Sequence, residues 1–329
     1  MVRFPMRAAV AREYGPPEAI RVEELPAPVP GPGAVRVRVR AAAVNFPDLL
    51  LLANRYQIQA PLPFVPGSEF AGEVEALGGG VTALAPGDRV FGATLVGAFA
   101  EALVSPASVL ARIPDGVGFV SAAAFGVAYG TAWGALDGVA RLRAGETLLV
   151  LGAAGGVGLA GVEIGRFLGA HVIAAASSDE KRALCLAKGA ERTLDSAPEG
   201  LRDRLREVLG GKGADVVLDP VGGDATEAAL RSLALGGRHV VVGFAAGGIP
   251  RIPTHLLLLR NARLLGFEIA GYQRLASADL GAGRAQLLEL LGRGVLSPHV
   301  GARFPLEETT AALRLVADRR ALGKIVIEP

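Results

Sequence analysis

The chain has 329 residues, 51% of them hydrophobic and 20% charged, with 34 Lys and Arg set against 32 Asp and Glu. A formal charge of +2 excludes a strong field for polyanions, and the single cysteine, Cys185, excludes intrachain disulfides and any structural zinc built on cysteines. The length supports two cores, and the apolar fraction fits an α/β protein with parallel strands covered on both faces, not a disordered chain.

Met1-Val2-Arg3-Phe4-Pro5-Met6-Arg7 lacks the continuous apolar run of a signal peptide, so the cytoplasm is the expected compartment. The first third reads as an irregular, turn-rich β-domain. Arg36-Val37-Arg38-Val39-Arg40 alternates as a half-buried strand does, and Phe70–Ala76 does so more weakly. Prolines 26, 28, 30 and 32, then 61, 63 and 66, punctuate the connections, and Ala85-Pro86-Gly87-Asp88 is a tight turn leading into a strand. Asp48 is expected to cap a helix starting at Leu49. The uncharged stretch from Gly116 to Leu136 is long enough to cross a bilayer, but its glycines, Ser121, Tyr129 and Thr131 mark it as a buried α/β segment; no membrane partner is expected.

After about residue 113 the rhythm changes to strands separated by helix-length patterns, which implies right-handed crossovers and a parallel sheet. Strands are predicted at Thr147–Leu151, His171–Ala175, Arg192–Leu194, Asp215–Asp219, His239–Val242 and Leu264–Glu268, and the clearest helices at Asp224–Leu235 and Ser277–Arg293. Within this region Thr147–Leu151 runs into Gly152-Ala153-Ala154-Gly155-Gly156-Val157-Gly158. A strand, a glycine turn and a helix in that order form a dinucleotide site, because the turn brings backbone close to a pyrophosphate and the helix N-terminus faces its charge. Ala153 stands where the full fingerprint has its first glycine.

The next strand ends at Ala175-Ala176 without the carboxylate that accepts the adenosine ribose hydroxyls of NAD. Ser177-Ser178-Asp179-Glu180-Lys181-Arg182 follows, with hydroxyls and a cation able to hold a 2′-phosphate, which favours NADPH. The same residues also read as a helix cap followed by a solvated turn, and both roles can hold together. Cys185 sits in a helical pattern as a buried, inert thiol. His171, His239, His255 and His299 show no metal-ligand spacing and read as structural. Beyond Pro298 come a helix, Leu306–Ala317, and a strand, Gly323–Ile327. The parallel sheet has no slot for that strand, which is expected to return to the first domain.

With these segments in place, the chain resembles the medium-chain dehydrogenase/reductase superfamily, and within it the zinc-free, zeta-crystallin-like quinone oxidoreductase branch. The likeness rests on Val44-Asn45-Phe46-Pro47-Asp48, Pro66-Gly67-Ser68-Glu69-Phe70-Ala71-Gly72, Pro86-Gly87-Asp88-Arg89-Val90, Ala153–Gly158 and Gly323-Lys324-Ile325-Val326. Asn45 and Ser68 occupy positions at which zinc alcohol dehydrogenases carry metal ligands. The resemblance implies a GroES-like, partly closed β-domain (1–118 and 296–329) interrupted by a Rossmann domain (119–295), with the ligand crevice between them. It further implies a nicotinamide near Asn45, Tyr56, Thr131 and Val157, with Val242, Gly243 and Phe244 on the other wall. Ala154, Gly155 and Gly156 would bind the pyrophosphate, and Ser177, Lys181 and Arg320 the 2′-phosphate. Ser196 replaces a tyrosine common among relatives.

The chemistry expected of such a site is NADPH-dependent hydride transfer to a quinone or an α,β-unsaturated carbonyl. Without a Lewis acid a simple ketone is hard to polarise, whereas a conjugated acceptor spreads the charge it receives. Asn45 would donate to the acceptor oxygen and Tyr56 would donate a hydrogen bond or a proton. Equally, Asn45 braces a turn before Phe46-Pro47 and Tyr56 is a half-buried aromatic; Phe46, Phe64 and Phe244 line the pocket or fill the core. The alternatives are an enoyl-thioester reductase, which would need a basic rim that no Arg cluster near Tyr56 supplies, and an NADPH-binding protein with little turnover. A homodimer built on the edge strand near Leu264–Ile269 is expected, and no nucleic-acid partner.

Overall fold

β1 (Pro5–Ala11) and β2 (Ile20–Pro26) pair antiparallel at the start of the structure, a computed structural model that describes residues 5–275 and 279–329. β3 (Ala34–Val44) follows and shows how alternation becomes a pleat. Val35, Val37 and Val39 are buried, while Arg36, Arg38 and Arg40 face outward onto carboxylates of β4 (Glu69–Leu77). Arg36 and Arg38 reach Glu75 at 3.0 and 2.6 Å, and Arg40 reaches Glu73 at 2.8 Å, so the register is marked by cross-strand charge pairs. β5 (Arg89–Ala93), β6 (Ala102–Pro106) and β7 (Ala111–Arg112) continue the sheet.

Then come the parallel strands β8 (Thr147–Val150), β9 (His171–Ala176), β10 (Arg192–Asp195), β11 (Ala214–Asp219), β12 (Leu233–Val241) and β13 (Arg263–Gly266). They lie in the order β10-β9-β8-β11-β12-β13, the doubly wound arrangement whose direction of winding reverses between β8 and β11. β14 (Val300–Pro305) and β15 (Lys324–Glu328) close the chain. β15 pairs antiparallel with β3, setting Ile325 opposite Val44, and the first sheet runs β14-β15-β3-β4-β5-β7 with β6 also on β3. The tail thus returns to the first β-region, as its surplus strand implied.

The chain divides into two units, Met1–Val127 with Ser297–Pro329, and Ala128–Leu296. The junction lies later than residue 118 because the short helix Phe119–Ala123 packs on β3, β4 and β5. The uncharged stretch forms that helix, the helix Gly126–Trp133 and the start of a π-helix at Gly134–Val139, and among the described residues no helix is long and apolar enough to cross a membrane. The helix expected to reach Leu235 stops at Arg231, since Leu233 already pairs with Ala214 in the sheet and Leu235 is exposed. The last Rossmann helix runs Asp279–Gly292; Ser277, at its expected start, lies outside the described residues, as do Met1–Phe4.

Cys185 is fully buried in the helix Asp179–Ala187, and burial pushes its thiol up to about 11. An inert thiol follows from both facts. We expect Ellman's reagent to label none of the folded protein at pH 8 and one thiol per chain in denaturant, read by absorbance; rapid labelling of the native protein would contradict this burial.

Candidate active site

β8 is apolar and buried because both faces of a parallel sheet are covered, and the chain leaves it through the glycine turn. The left-handed residue of that turn is Gly152 (φ 55°), not position 153. Ala153 is therefore tolerated; it is buried and its N–H donates to Ala175 O at 3.0 Å. Gly158 is the sterically demanding glycine, since a Cβ there would stand 2.3 Å from Gly152 O and 2.7 Å from Ala153 Cα. The helix Gly156–Phe167 begins against this turn with Gly155 as its N-cap and no side chain capping it. Its first N–H groups consequently remain available to an anion.

Ala154, Gly155, Gly156 and Val157 follow β8, Ser177 and Lys181 follow β9, and Val242, Gly243 and Phe244 follow β12. All three segments leave the carboxyl edge of one parallel sheet, where ligands of doubly wound folds bind. At the end of β9, Ser178 caps its helix, accepting Lys181 N–H at 3.2 Å, while Ser177 Oγ stands 3.5 Å from Lys181 Nζ. The helix-cap reading is thus realised on Ser178, and Ser177 stands beside the Lys181 ammonium. Partial burial lowers the Lys181 pKa below the ordinary lysine value. Arg182 is half-buried: it turns back to Ala176 O at 3.1 Å and Asp179 at 2.5 Å. Ser196 donates its N–H to Ala176 O at 3.2 Å, so it adjoins the same strand end.

Two buried networks in this unit escape sequence reasoning. Asp219, the last residue of β11, is fully buried; its Oδ1 accepts the Val221 and Gly222 N–H groups at 2.9 Å, and its Oδ2 accepts Thr226 Oγ1 at 2.6 Å and His239 Nε2 at 2.9 Å. Burial would raise this carboxyl, but His239, Thr226 and the Gly222 N–H together hold it below its ordinary value. Its backbone oxygen accepts Val242 N–H at 2.9 Å, and Phe244 packs at Gly222, so one residue fixes the Pro220–Gly222 turn and the wall beside it. Tyr129 donates to Glu163, which also accepts Lys188 Nζ at 2.9 Å, and burial with the Glu163 charge raises the phenol well above its ordinary value. That network braces the helix Gly126–Trp133, which carries Thr131. An aspartate closing an apolar strand before Pro220-Val221-Gly222-Gly223 was the available signal for the first network.

Asn45, Tyr56 and Arg320 belong to the other unit. Asn45 ends β3's extension and is the N-cap of the helix Phe46–Leu52, which starts earlier than Leu49 because Pro47 suits the first helical turn. Asp48 is accordingly not the cap. It lies inside that turn, fully buried, and its Oδ2 accepts Asn45 N–H at 2.7 Å while its Oδ1 has no partner. The Asn45 side chain meets two charged groups that are remote in sequence. Lys324 Nζ donates to Asn45 Oδ1 at 2.5 Å and to Glu69 Oε2 at 3.0 Å, and Asn45 Nδ2 donates to Glu69 Oε2 at 3.0 Å. Glu69 Oε1 accepts Val127 N–H at 2.7 Å. A lysine opening an otherwise apolar final strand was the only sequence sign of this cluster. Tyr56 is partly buried against the β-unit's core, and Arg320 is exposed after the helix Thr309–Ala317.

These residues do not fit a zinc ion. A carboxamide and a hydroxyl stand at Asn45 and Ser68, the Glu69 carboxylate is filled by three donors, and the Lys324 ammonium already supplies the positive charge. Among the described residues no group of three or more His, Cys, Asp or Glu is placed to hold a metal.

Residues 31–115 match the alcohol dehydrogenase GroES-like domain family and residues 156–280 the zinc-binding dehydrogenase family. The chain is 40% identical over 322 residues to quinone oxidoreductase-like protein 2 of Rattus norvegicus, covering 98% of this chain and 91% of that protein. Its fold is similar to a mycobacterial protein complexed with NADPH (TM-score 0.91, 34% identity, 98% of this chain and 100% of the other). It is also similar to Escherichia coli quinone oxidoreductase complexed with NADPH (TM-score 0.90, 27% identity, 99% of both chains).

Burial pushes the Asp48 carboxyl up from 3.8 to about 6, with the Asn45 N–H, the Ser68 hydroxyl and Lys324 opposing the rise. Between those values the folded protein binds more protons than the unfolded chain, so stability falls as pH rises through that window and levels off above it. Asp48→Asn keeps an acceptor for Asn45 N–H and removes the titration. Urea unfolding of variant and parent at pH 4 to 7 should therefore diverge by about 3 kcal/mol in the variant's favour as pH rises; parallel profiles would refute a raised Asp48.

Proposed function

The chain belongs to the medium-chain dehydrogenase/reductase family, among its quinone oxidoreductase-like members, and from that premise we propose that it is an NADPH-dependent reductase of quinones or α,β-unsaturated carbonyls acting without zinc. NADPH, when bound, supplies the hydride. What the protein contributes is placement, exclusion of water and a few hydrogen-bond donors. The uncapped N-terminus of Gly156–Phe167, with Ala154, Gly155, Gly156 and Val157, would take the pyrophosphate. Ser177 and Lys181 at the end of β9 would take the 2′-phosphate, in the absence of any acidic residue at Ala175 or Ala176. Thr131, Val242, Gly243 and Phe244 would flank the nicotinamide, and the Asp219 network keeps the last three in place.

The observation that carries the choice of acceptor is the cluster at Asn45. Amide, hydroxyl and ammonium donors are present, the Glu69 carboxylate is taken by them, and among the described residues no group of three His, Cys, Asp or Glu is placed to hold a Lewis acid. Such donors suffice where the acceptor's own π-system spreads the charge arriving with the hydride, and they fall short for an isolated ketone or alcohol. Asn45 would donate to the acceptor oxygen and Tyr56 would supply a hydrogen bond or a proton.

Stopped-flow absorbance of NADPH after exhaustive chelation, with 1,4-benzoquinone, 9,10-phenanthrenequinone, methyl vinyl ketone and crotonyl-CoA, tests this reading. Consumption with the quinones or the enone is expected, with Lys181→Ala raising KM for NADPH about tenfold and leaving that for NADH unchanged. Turnover restored only by zinc would overturn it, consumption with crotonyl-CoA alone would make the protein a thioester reductase, and none at all would leave a binding protein.

The same reading includes a homodimer. β13 is the edge strand of the parallel sheet, and the helix His255–Arg260 before it leaves Leu258 and Leu259 77% and 70% exposed, an apolar margin that association would cover. Sedimentation at micromolar concentration should give twice the 33.7 kDa chain mass, and Leu258→Glu with Leu259→Glu should give the monomer; a monomeric parent would reject this interface.

A further inference from the structure

From the cluster at Asn45 we infer that Lys324 is a positioning residue for the Asn45 amide, holding it so that an N–H, and not its carbonyl, meets the acceptor oxygen. This inference rests on the proposed reduction. An asparagine amide in isolation can present either edge. Here it cannot turn over, because an ammonium only donates and the Glu69 Oε2 bonded to it accepts. Lys324 Nζ claims Asn45 Oδ1, Glu69 claims one Nδ2 proton, and a flipped amide would set its nitrogen against the ammonium and its oxygen against the carboxylate.

The second Nδ2 proton is left with only long contacts, 3.5 Å to Ala43 O and to Ser68 Oγ. That distance lies beyond the usual range for an N–H bond, so this proton is the one left to bond an oxyanion that develops beside it. The ammonium does more than orient it. Drawing electron density through Oδ1 makes the amide N–H a stronger donor, as hydrogen bonds in a chain reinforce one another away from water. Lys324 and Glu69 are both almost fully buried, so water does not dilute the effect. The positive charge reaches the acceptor through the amide.

Removing Lys324 alone leaves Glu69 buried and unpaired, so the test removes both charges. In K324M/E69Q we expect kcat with a quinone to fall about thirtyfold at saturating NADPH, while the NADPH Kd from fluorescence quenching stays within about twofold and the melting temperature stays near the parent's. K324R, which keeps a cation, should recover most of the rate. Asn45→Ala should fall as far, and adding it to K324M/E69Q should cost nothing more, because the lysine acts through the amide. Parental kcat in K324M/E69Q, or losses that multiply in the triple variant, would overturn the inference. A readout free of turnover is the side-chain amide signal of Asn45 in ¹⁵N-labelled protein: two well-separated proton shifts in the parent, collapsing in K324M/E69Q. If the parent reduces no acceptor, the proposed function fails, and this signal alone then decides the positioning, an unchanged signal in K324M/E69Q rejecting it.

Discussion

A lysine ammonium taken almost wholly out of water, Lys324, is the constraint around which the β-unit is organised. Moving such an ion into a protein interior carries a penalty of several kcal/mol unless it is paired and hydrogen-bonded. Glu69 at the start of β4 and Asn45 at the end of β3 meet that demand together, and each is in turn held elsewhere, Glu69 by the Val127 N–H and Asn45 by Asp48. Lys324 and Asn45 are separated by 279 positions. The interaction therefore exists only once the C-terminal strand has crossed back to pair with β3, and the pairing of Ile325 with Val44 is what delivers the ammonium to the amide.

The parallel unit solves a different problem with a similar device. The segments proposed to meet the cofactor are loops at the carboxyl ends of strands, and loops need anchors. Asp219 is one, with both carboxylate oxygens and its backbone oxygen engaged by the turn, by Thr226, by His239 and by Val242. His239 is buried with Nδ1 unpartnered, so its contribution is concentrated in the bond to Asp219. Gly158 plays the corresponding steric part beside β8, where any side chain would push the helix off the turn that positions its N–H groups.

Local patterns carried much of this information. Alternation in Arg36–Arg40 identified β3 and its exposed face, since a period of two admits one register against a buried core. The strand, glycine turn and helix at Thr147–Phe167 were legible because each step has its own backbone requirement, and the one irregularity, Ala153, is harmless because Gly152 takes the left-handed conformation. Periodicity failed where two periods overlap. Leu233 and Leu235 extend a helical pattern and also fit a strand, and pairing with Ala214 decided for the strand. Asp48 reads as a cap in sequence because a capping residue and an acceptor three residues inside the helix share the same chemistry; only the backbone of Asn45 distinguishes them.

Taken by itself, the amino-acid order determined the fold class, the returning tail and the family, because each depends on residues that are neighbours or on periodicities within one element. The tertiary structure decided the partners of the buried charges. Whether Asn45 is a free donor or a clamped one, and whether Asp219 ends a strand or anchors a wall, depends on which remote groups arrive within hydrogen-bond distance. No local pattern encodes that, since a buried ion is selected by the desolvation of the whole fold and not by its neighbours in the chain.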